Sequence, residues 1–431
     1  MKKLSTFENF NLSEPLFKAI QKLGFTEPTE IQEKSIPYVV EGKDVLGESA
    51  TGSGKTLAFG CAIVEYVEPG KGIQALVLTP TRELADQARL FLSKISHFKS
   101  LNVISVYGGV SISPQIHELR KADVVVATPG RFLDHVERNT VNTSRIKILV
   151  IDEADRMLDM GFINDVERII KTCPKQRQTL LFTATFPDEV KRLANRYMTN
   201  PIEVSAKKHV DPNKLKQVYY DVSKKLKLSL LVHLLQHEIS GLVMVFCNTR
   251  RTTDFVVKNL KSNKISAIAI HGGLSQNKRT KTLDMFDKAK TQVLVCTDVA
   301  ARGLHIDNVS HVYNYDLPVS PKDYVHRIGR TARAGESGQV INLLCEYDHE
   351  NYSRILREYR EFSIKKEEMP EVKTVFAMKV DEHKGHPGRE MPNKFRRHTQ
   401  RSGRSSGERG NDEGRKPWFG RDSRGSRFSR R

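Results

Sequence analysis

The sequence predicts an α/β protein of two tandem domains, each a parallel sheet covered by helices on both faces, followed by a disordered basic C-terminal tail. Short runs of Val, Ile and Leu alternate with amphipathic stretches, which is typical of strands buried on both faces of a parallel sheet. Two such series occur, one from "KDVLGESATGSGKT" to "RQTLLFTATFP" and the other from "LVMVFCNTR" to "GQVINLLCE". A length of 431 residues also favours two domains over one.

Changes in composition set the predicted domain boundaries. The stretch "VSAKKHVDPNKLKQ" is polar and contains Pro212, so it is predicted to join the two domains. From Lys384 onward Arg, Gly and Ser dominate, and such a composition buries too little apolar surface to offset chain entropy. The predicted parts are a leading region over 1–33, a first domain over 34–205, a linker over 206–217, a second domain over 218–365 and a disordered tail over 366–431.

The charge of the chain indicates a polyanionic partner. The net charge is +19, and residues 384–431 hold 15 Lys or Arg against 5 Asp or Glu, a net of +10. A basic body with a more basic tail is typical of nucleic-acid binding. Trp418, Phe419 and Phe428 add base-stacking side chains to the arginines of the tail, which favours sequence-tolerant RNA contact. An inert solubilising tail is the alternative.

The sequence argues against a membrane protein and against a secreted one. No run of about 18 apolar residues occurs, and the N-terminal stretch "MKKLSTFENFNLSE" lacks the apolar centre of a signal peptide. The cysteines are scattered without a CxxC pair, which disfavours disulfides and a zinc site; they are Cys61, Cys173, Cys247, Cys296 and Cys345. A reducing cytoplasm is the predicted compartment.

A phosphate-binding loop is predicted at "SATGSGKT", which follows a strand at Val45 and opens a helix. Its glycines allow backbone N–H groups to curl around a phosphate, where the helix dipole adds positive potential. Lys55 is predicted to reach the β- and γ-phosphates, and the Thr56 hydroxyl to bind Mg²⁺. The generic pattern has Gly where this chain has Ser49. The predicted nucleotide contacts are Ser49, Ala50, Thr51, Gly52, Ser53, Gly54, Lys55 and Thr56.

The stretch "ILVIDEADRMLD" runs from a buried strand into three acids. In parallel sheets the carboxyl ends of the strands are where ligands bind. Asp152, at a strand end downstream of a phosphate loop, is predicted to be a second Mg²⁺ contact. Glu153 is predicted to orient or deprotonate the attacking water. For Asp155, a favourable interaction with the positive helix N-terminus is the simpler explanation.

Together, "DEAD" and "SATGSGKT" resemble the DEAD-box family of ATP-dependent RNA helicases, and the resemblance extends over residues 5–350. It implies two RecA-like domains, ATP and Mg²⁺ as cofactors, and RNA as the partner. The stretch "GFTEPTEIQ", with Phe7 upstream, is similar to the family's Q motif. By that similarity, Gln32 reads the adenine edge and Phe25 stacks on the adenine ring.

Segments of both domains resemble the RNA-contacting motifs of the family: "PTRELA", "GG", "TPGR", "HGGLSQNKR" and "TDVAARG". The resemblance implies that RNA is held by its sugar–phosphate backbone, which carries little sequence information. The implied RNA contacts are Pro80, Arg82, Gly109, Thr128, Arg131, Arg279 and Thr297. The resemblance also implies nucleotide contacts at Gly303 and His305, although the family mostly has Asp at the latter position.

Two further stretches resemble motifs that couple ATP hydrolysis to strand separation. "TAT" stands where the family usually has Ser-Ala-Thr, and its first residue, Thr183, keeps a hydroxyl that we expect to hydrogen-bond Asp155. "HRIGRTAR" is similar to the arginine-finger motif, so Arg330 and Arg333 are implied to approach the γ-phosphate when the domains close. The implied coupling residues are Asp155, Thr183, Thr185 and His326.

The predicted function is ATP-driven closure of two domains on single-stranded RNA, which unwinds short duplexes locally or remodels ribonucleoproteins. Ribosomal complexes and mRNA-decay complexes are two alternative partners that fit this function. One alternative is an RNA chaperone or ATP-gated clamp with little unwinding, and an ATPase assay distinguishes it. The other is a DNA-directed motor of the same superfamily, which DNA would stimulate as well as RNA does, because the 2′-OH is the distinguishing group.

Overall fold

The computed structural model describes residues 6–49, 52–206, 215–237, 241–301, 306, 309–331 and 338–378. Residues 379–431 of the predicted tail lie outside this part of the chain, as do five predicted site residues: Ala50, Thr51, Gly303, His305 and Arg333. The described residues form two lobes, each a parallel sheet with helices on both faces, which confirms the predicted fold class. None of the described helices has both the length and the apolar composition needed to cross a membrane.

The first lobe is built on a seven-stranded parallel sheet. Successive apolar side chains of a strand point to opposite faces, so that Val45 packs on one side of the sheet and Leu46 on the other. The strands are β1 Val45–Glu48, β2 Ala75–Leu78, β3 Val103–Val106, β4 Val124–Ala127, β5 Ile148–Asp152, β6 Gln178–Thr183 and β7 Ile202–Ser205. Their spatial order is β3-β4-β2-β5-β6-β1-β7.

Helices precede and connect these strands. α1 Glu14–Lys22 and α2 Glu30–Val40 come before β1, and their apolar faces join the core on one side of the sheet through Leu16 and Ile31. The leading region is therefore packed on the first lobe. The connecting helices are α3 Lys55–Tyr66, α4 Arg82–Ile95, α5 Ile112–Leu119, α6 Pro129–Glu137, α7 Ala154–Asp159, α8 Ile163–Thr172 and α9 Asp188–Tyr197.

The second lobe repeats this architecture. Its strands are β8 Leu215–Asp221, β9 Leu242–Phe246, β10 Ala267–Ile270, β11 Val293–Cys296, β12 Val309–Asn314, β13 Gly338–Leu344 and β14 Ile364–Lys366. Its helices are α10 Lys227–His237, α11 Arg250–Ser262, α12 Gln276–Asp287, α13 Asp298–Ala301, α14 Pro321–Ile328 and α15 His349–Glu358. The spatial order β10-β11-β9-β12-β13-β8-β14 is that of the first lobe, strand for strand.

The predicted linker extends too far at its C-terminal end. β8 already begins at Leu215, and residues 215–217 pair in parallel with 338–340 of β13. Within this stretch Lys216 is exposed, whereas Leu215 and Gln217 are buried. The last three residues of the polar stretch therefore belong to a strand with one solvent-facing lysine.

The predicted start of the tail is also wrong. β14 is the edge strand beside β8, and the chain stays packed on the second lobe as far as Met378. The Asn259 amide accepts the Met378 N–H at 2.7 Å and donates to its carbonyl at 3.1 Å. Three apolar residues of the segment pack on the core of the lobe: Met369, Val372 and Val375. These few contacts follow no helix or strand period, so the sequence pattern did not reveal them.

Candidate active site and nucleic-acid groove

The predicted phosphate loop connects β1 to α3. Gly52 and Gly54 have φ values of 85° and 93°, in the left-handed region that favours glycine. A side chain at Gly54 is excluded for a second reason, because its Cβ would lie 2.3 Å from Nε2 of Gln32. α3 begins at Lys55, so the free N–H groups of its first turn face the loop. This is the geometry in which a loop and a helix N-terminus bind phosphate.

Lys55 lies between the phosphate loop and the acidic end of β5. Its side chain is 6% exposed, and Nζ donates to the Ser49 carbonyl at 3.2 Å and lies 4.0 Å from Oδ1 of Asp152. Ser49, in the position of the generic first Gly, accepts a hydrogen bond from the Ser53 hydroxyl at 2.9 Å. The loop therefore tolerates serine at this position because the hydroxyl has a partner within the loop.

Asp152 is the last residue of β5 and is buried. Burial raises the pKa of Asp152 to about 6, although the nearby Lys55 ammonium lowers it. Its Oδ1 is buried and accepts no hydrogen bond from the described residues. No three His, Cys, Asp or Glu side chains of the described chain come together as a metal site. One carboxylate beside a phosphate loop nevertheless suits Mg²⁺, which typically binds one or two carboxylates plus substrate phosphates.

Glu153 is held in an uncommon backbone conformation at the start of α7. Its φ of 55° and ψ of 50° lie in the left-handed region, which costs a residue with a side chain about 1–3 kcal/mol. The carboxylate is buried, and Oε2 lies 2.9 Å from Nη1 of Arg156. Strain of this kind persists where the surroundings hold the residue in place, and it is common at active sites.

Gln32 ties the leading region to the phosphate loop. Its Oε1 accepts the Thr29 N–H at 2.9 Å, and its Nε2 donates to the Gly54 carbonyl at 3.0 Å. The Thr29 hydroxyl donates to the Ser53 carbonyl at 2.7 Å. Phe25 is 39% exposed, and its ring centre lies 6.2 Å from that of Phe91. The structure thus places Gln32 directly against the loop, with Phe25 on the surface seven residues before it.

The expected hydrogen bond between Thr183 and Asp155 is not formed. Thr183 ends β6 and is fully buried, and its hydroxyl donates to the Thr185 carbonyl at 2.6 Å. The Thr185 hydroxyl instead donates to Oδ2 of Asp155 at 3.0 Å. Asp155 is contacted by the residue two positions later because the buried Thr183 side chain points into the lobe. Thr185 lies beyond the end of the strand, where the chain comes close to α7. The contact with Asp155 thus involves a hydroxyl of the predicted motif, but a different one.

On the second lobe, His326 and Arg330 lie in or just after α14, and this helix approaches α7 of the first lobe, because Nζ of Lys322 lies 3.5 Å from Oδ2 of Asp159. Arg330 is 3% exposed, and its N–H donates to the Arg327 carbonyl at 3.1 Å. Burial lowers the pKa of His326 below its ordinary value of 6.5, whereas the nearby Asp323 carboxylate opposes this effect. The charge of Arg156 in α7 lowers the pKa further. His326 is therefore neutral at pH 7.

A groove of about 500 Å³ runs along both lobes at the ends of their strands. Five of the predicted RNA contacts line it: Pro80, Arg82, Thr128 and Arg131 from the first lobe, and Arg279 from the second. Gly109 lies against Arg82, since a Cβ at this glycine would lie 1.9 Å from Nη1 of the arginine. Thr297 is buried two residues before Val299, which lines the groove.

Polar contacts join the two lobes across this groove. Arg279 of the second lobe lies 2.8 Å from Oε1 of Glu83 in the first, and Arg82 donates to Oε1 of Gln276 at 3.3 Å. Sequence reasoning assigned no role to Glu83 or Gln276. Their positions beside predicted RNA contacts could have indicated a role. Glu83 directly follows Arg82, and Gln276 lies three residues before Arg279 on one helix face.

Comparison with known proteins agrees with this arrangement. Residues 29–193 match the family model for the DEAD/DEAH box helicase, and residues 226–335 match that for the helicase conserved C-terminal domain. The DEAD-box ATP-dependent RNA helicase CshA of Geobacillus kaustophilus is 47% identical over 345 residues, which cover 79% of this chain and 74% of the relative. The chain belongs to the DEAD-box family of ATP-dependent RNA helicases. Its fold, its ATP use and its RNA partner are those of a DEAD-box helicase.

Solved DEAD-box structures match both lobes. S. cerevisiae Dbp5 bound to RNA and ADP BeF3 is 31% identical with a TM-score of 0.77, over 84% of this chain and 96% of that one. A Dbp5 variant in a complex with gle1 and ADP is 29% identical over the same shares, with a TM-score of 0.60. Both comparisons extend over the two lobes of this DEAD-box helicase.

Replacing Gly109 by alanine is expected to raise the RNA concentration for half-maximal ATPase stimulation about tenfold, which corresponds to one lost charge-assisted hydrogen bond. The new Cβ would displace the Arg82 guanidinium from the groove. The measurement is ATP turnover as a function of RNA concentration. Gly72→Ala is the matched control, because Gly72 has the same φ of 78° with open space around it. An equal effect of both substitutions would contradict the prediction.

Proposed function

We propose that ATP–Mg²⁺ and one RNA strand together close the two lobes, and that closure unpairs short duplexes locally or remodels ribonucleoproteins. The observation that carries this proposal is the groove, which both lobes line and which the Glu83–Arg279 contact spans. A strand bound there gains contacts from both lobes only when they are together. RNA and ATP then bind the closed arrangement more tightly than the open one, and this difference in binding free energy drives closure.

The proposed nucleotide site is composite. Lys55, Thr56, Asp152 and Glu153 come from the first lobe, together with Ser49, Ala50, Thr51, Gly52, Ser53 and Gly54 of the phosphate loop. Arg330 and Arg333 come from the second lobe, with Gly303 and His305 beside the ribose. Phe25 and Gln32 take the adenine. The proximity of Lys55, Asp152 and Glu153 and the burial of Arg330 support this assignment.

Mg²⁺ is proposed to bind Asp152 and the Thr56 hydroxyl. The buried Oδ1 of Asp152 without a hydrogen bond supports this, and a cation there would relieve the cost of burying the carboxylate. When bound, the ion would neutralise charge on the phosphate oxygens. The side chains of the protein orient the reactants: Lys55 holds the phosphates, and Glu153 holds the attacking water.

RNA is proposed to lie in the groove with its backbone against Arg82, Arg131 and Arg279, beside Pro80, Gly109, Thr128 and Thr297. Contacts of this kind are insensitive to sequence and weaken with salt. The basic tail would add affinity without specificity. Asp155, Thr183, Thr185 and His326 are proposed to couple the nucleotide site to this groove. Five buried cysteines support a reducing cytoplasm as the compartment.

The test is ATP turnover with single-stranded RNA, with single-stranded DNA and with no nucleic acid, for the wild type and Glu153→Gln. Turnover is expected to be slow alone, to rise strongly with RNA only, and to collapse in the variant, because glutamine cannot accept a proton from water. Glu118→Gln is the control, since Glu118 is exposed on α5. Equal stimulation by DNA would indicate a DNA-directed motor. Turnover that ignores nucleic acid would overturn the RNA-gated mechanism.

A further inference from the structure

The second lobe contains a buried lysine at the position that Lys55 occupies in the first lobe, and no role discussed above uses it. The two sheets have the same strand order, in which β8 corresponds to β1, β12 to β5 and β13 to β6. Lys55 is the first residue of α3, the helix after β1, and Lys227 is the first residue of α10, the helix after β8. Both lysines are buried, with exposed fractions of 5% and 3%. The second lobe therefore repeats the lysine that is proposed to hold the phosphates.

An aspartate at the end of the corresponding strand accompanies each lysine. In the first lobe, Nζ of Lys55 lies 4.0 Å from Oδ1 of Asp152, the last residue of β5. In the second lobe, Nζ of Lys227 lies 3.8 Å from Oδ1 of Asp316, which follows β12. Burial raises the pKa of both carboxyl groups. The two lobes thus agree in the lysine, in the acid and in the distance between them.

The lobes differ in the loop that precedes the lysine. The loop between β8 and α10 consists of residues 222–226, with the sequence "VSKKL", and contains no glycine. None of these five residues, all of which the structure describes, has a positive φ, whereas Gly52 and Gly54 of the phosphate loop do. The backbone N–H groups of this loop therefore do not curl around a phosphate as those of a glycine-rich loop do. The second lobe has the lysine of a phosphate site without the loop that would surround a chain of phosphates.

An internal carboxylate, that of Asp348, binds to this lysine. Asp348 follows β13, and its Oδ2 accepts hydrogen bonds from Nζ of Lys227 at 2.7 Å and from the N–H and the thiol of Cys345, both at 3.1 Å. Its Oδ1 accepts the Leu317 N–H at 3.2 Å. Four donors therefore converge on one carboxylate that is 5% exposed. An ammonium and backbone N–H groups are also the donors with which proteins bind free oxyanions.

We propose that the second lobe contains an oxyanion site, the counterpart of the phosphate site of the first lobe, and that the Asp348 side chain fills it from within. The free ligand that fits this site is a small carboxylate, because its donors surround one carboxylate group and its loop does not surround a phosphate chain. While Asp348 occupies the site, it is closed to free anions. This inference goes beyond the proposed function, and its test measures anion binding without ATP turnover, so that either can fail without the other.

The test removes the Asp348 carboxylate from the full-length protein and supplies a free one. Asp348→Ala is expected to lower the melting temperature of the second lobe, measured by circular dichroism, by about 6–20 °C, since one partner of a buried ion pair is lost. Sodium formate replaces the carboxylate that alanine lacks, so it is expected to raise the melting temperature relative to sodium chloride of equal ionic strength. At about ten times its dissociation constant, formate would return about 3–6 °C by mass action.

The size of the anion provides a second measurement. Asp348→Gly leaves room for one more carbon atom than Asp348→Ala does. Acetate is therefore expected to stabilise Asp348→Gly more than it stabilises Asp348→Ala, whereas formate is expected to stabilise both. A general effect of salt on stability would not depend on which of the two residues stands at this position. The same response of both variants to acetate would contradict a site that is shaped for one carboxylate.

Lys227→Met combined with Asp348→Ala is the matched control, because it keeps the space left by the carboxylate but removes the ammonium. This double variant and the wild type, in which Asp348 fills the site, are expected to melt at the same temperature in formate as in chloride. If Asp348→Ala is unfolded in chloride, refolding in formate is the corresponding positive result. A formate response that is equal in all three proteins, or absent from Asp348→Ala, would overturn the inference.

Discussion

Replacing Arg330 by alanine is expected to lower the RNA-stimulated kcat by about 10³- to 10⁵-fold, with little change in the KM for ATP. Negative charge spreads over the γ-phosphoryl oxygens in the transition state, so a cation brought there by closure acts on the chemical step. Arg330 is buried, and its main chain is tied to Arg327, which supports this role. The measurement is single-turnover ATP hydrolysis at saturating RNA.

Arg357→Ala is the control for this result. Arg357 is exposed on α15, outside the proposed site, and its loss is expected to leave kcat unchanged. Arg330→Lys keeps the charge but loses the planar fork, so it is expected to recover only a small part of the activity. If Arg330→Ala kept its kcat within about tenfold of the wild type, Arg330 would not be the finger.

Replacing Asp348 by asparagine is expected to lower the free energy of unfolding of the second lobe by about 3–5 kcal/mol. Asp348 and Lys227 form a buried ion pair at 2.7 Å. The same carboxylate accepts N–H bonds from Cys345 at 3.1 Å and Leu317 at 3.2 Å. Asparagine would leave the buried Lys227 ammonium without this anion. Guanidinium unfolding followed by circular dichroism measures the change.

The pH dependence of this effect has a definite sign. Burial by itself would raise the pKa of Asp348, but the Lys227 ammonium and the Cys345 hydrogen bonds outweigh it and hold the pKa below its ordinary value of 3.8. The stabilisation is therefore fully present above pH 3.8 and is lost as the pH falls through the folded pKa. The stability difference between the wild type and Asp348→Asn should accordingly shrink only in acid.

A paired replacement checks the cause of the destabilisation. Lys227→Met with Asp348→Leu removes both charges and leaves apolar side chains in their place, which is expected to recover most of the lost stability. A double variant as unstable as Asp348→Asn would mean that the hydrogen bonds of the carboxylate, rather than the Lys227 ammonium that has lost the nearer of its two anions, account for the loss.

The parts of the molecule that repeat a simple pattern could be predicted from the sequence. Buried apolar runs predicted the strands, and motifs at the ends of those runs placed Lys55, Asp152 and Arg82 at the edge where the structure has them. This works because the carboxyl ends of parallel strands must lie at one edge, whatever the side-chain details.

What could not be predicted depends on partners that lie far apart in the chain. The hydrogen bonds that Arg327 donates to residues at three strand ends, for example, appear only when the fold brings those ends together. The partner of Asp155 was misassigned because the sequence does not show which way Thr183 points at the end of β6. The packing of residues 366–378 likewise depends on Asn259, more than a hundred positions earlier.

The shared strand order of the two sheets gives the groove an internal repeat. Glycine pairs follow β3 and β10, and Thr81 and Thr249 each cap the helix after the second strand of their lobe by accepting an N–H bond from the third residue onward. A nucleic-acid backbone is itself periodic, with one phosphate per nucleotide. A protein in which both lobes present such a loop can thus bind a phosphate group at two positions along one nucleic-acid strand. A substitution of Thr81 consequently has a counterpart in Thr249, against which its effect can be compared.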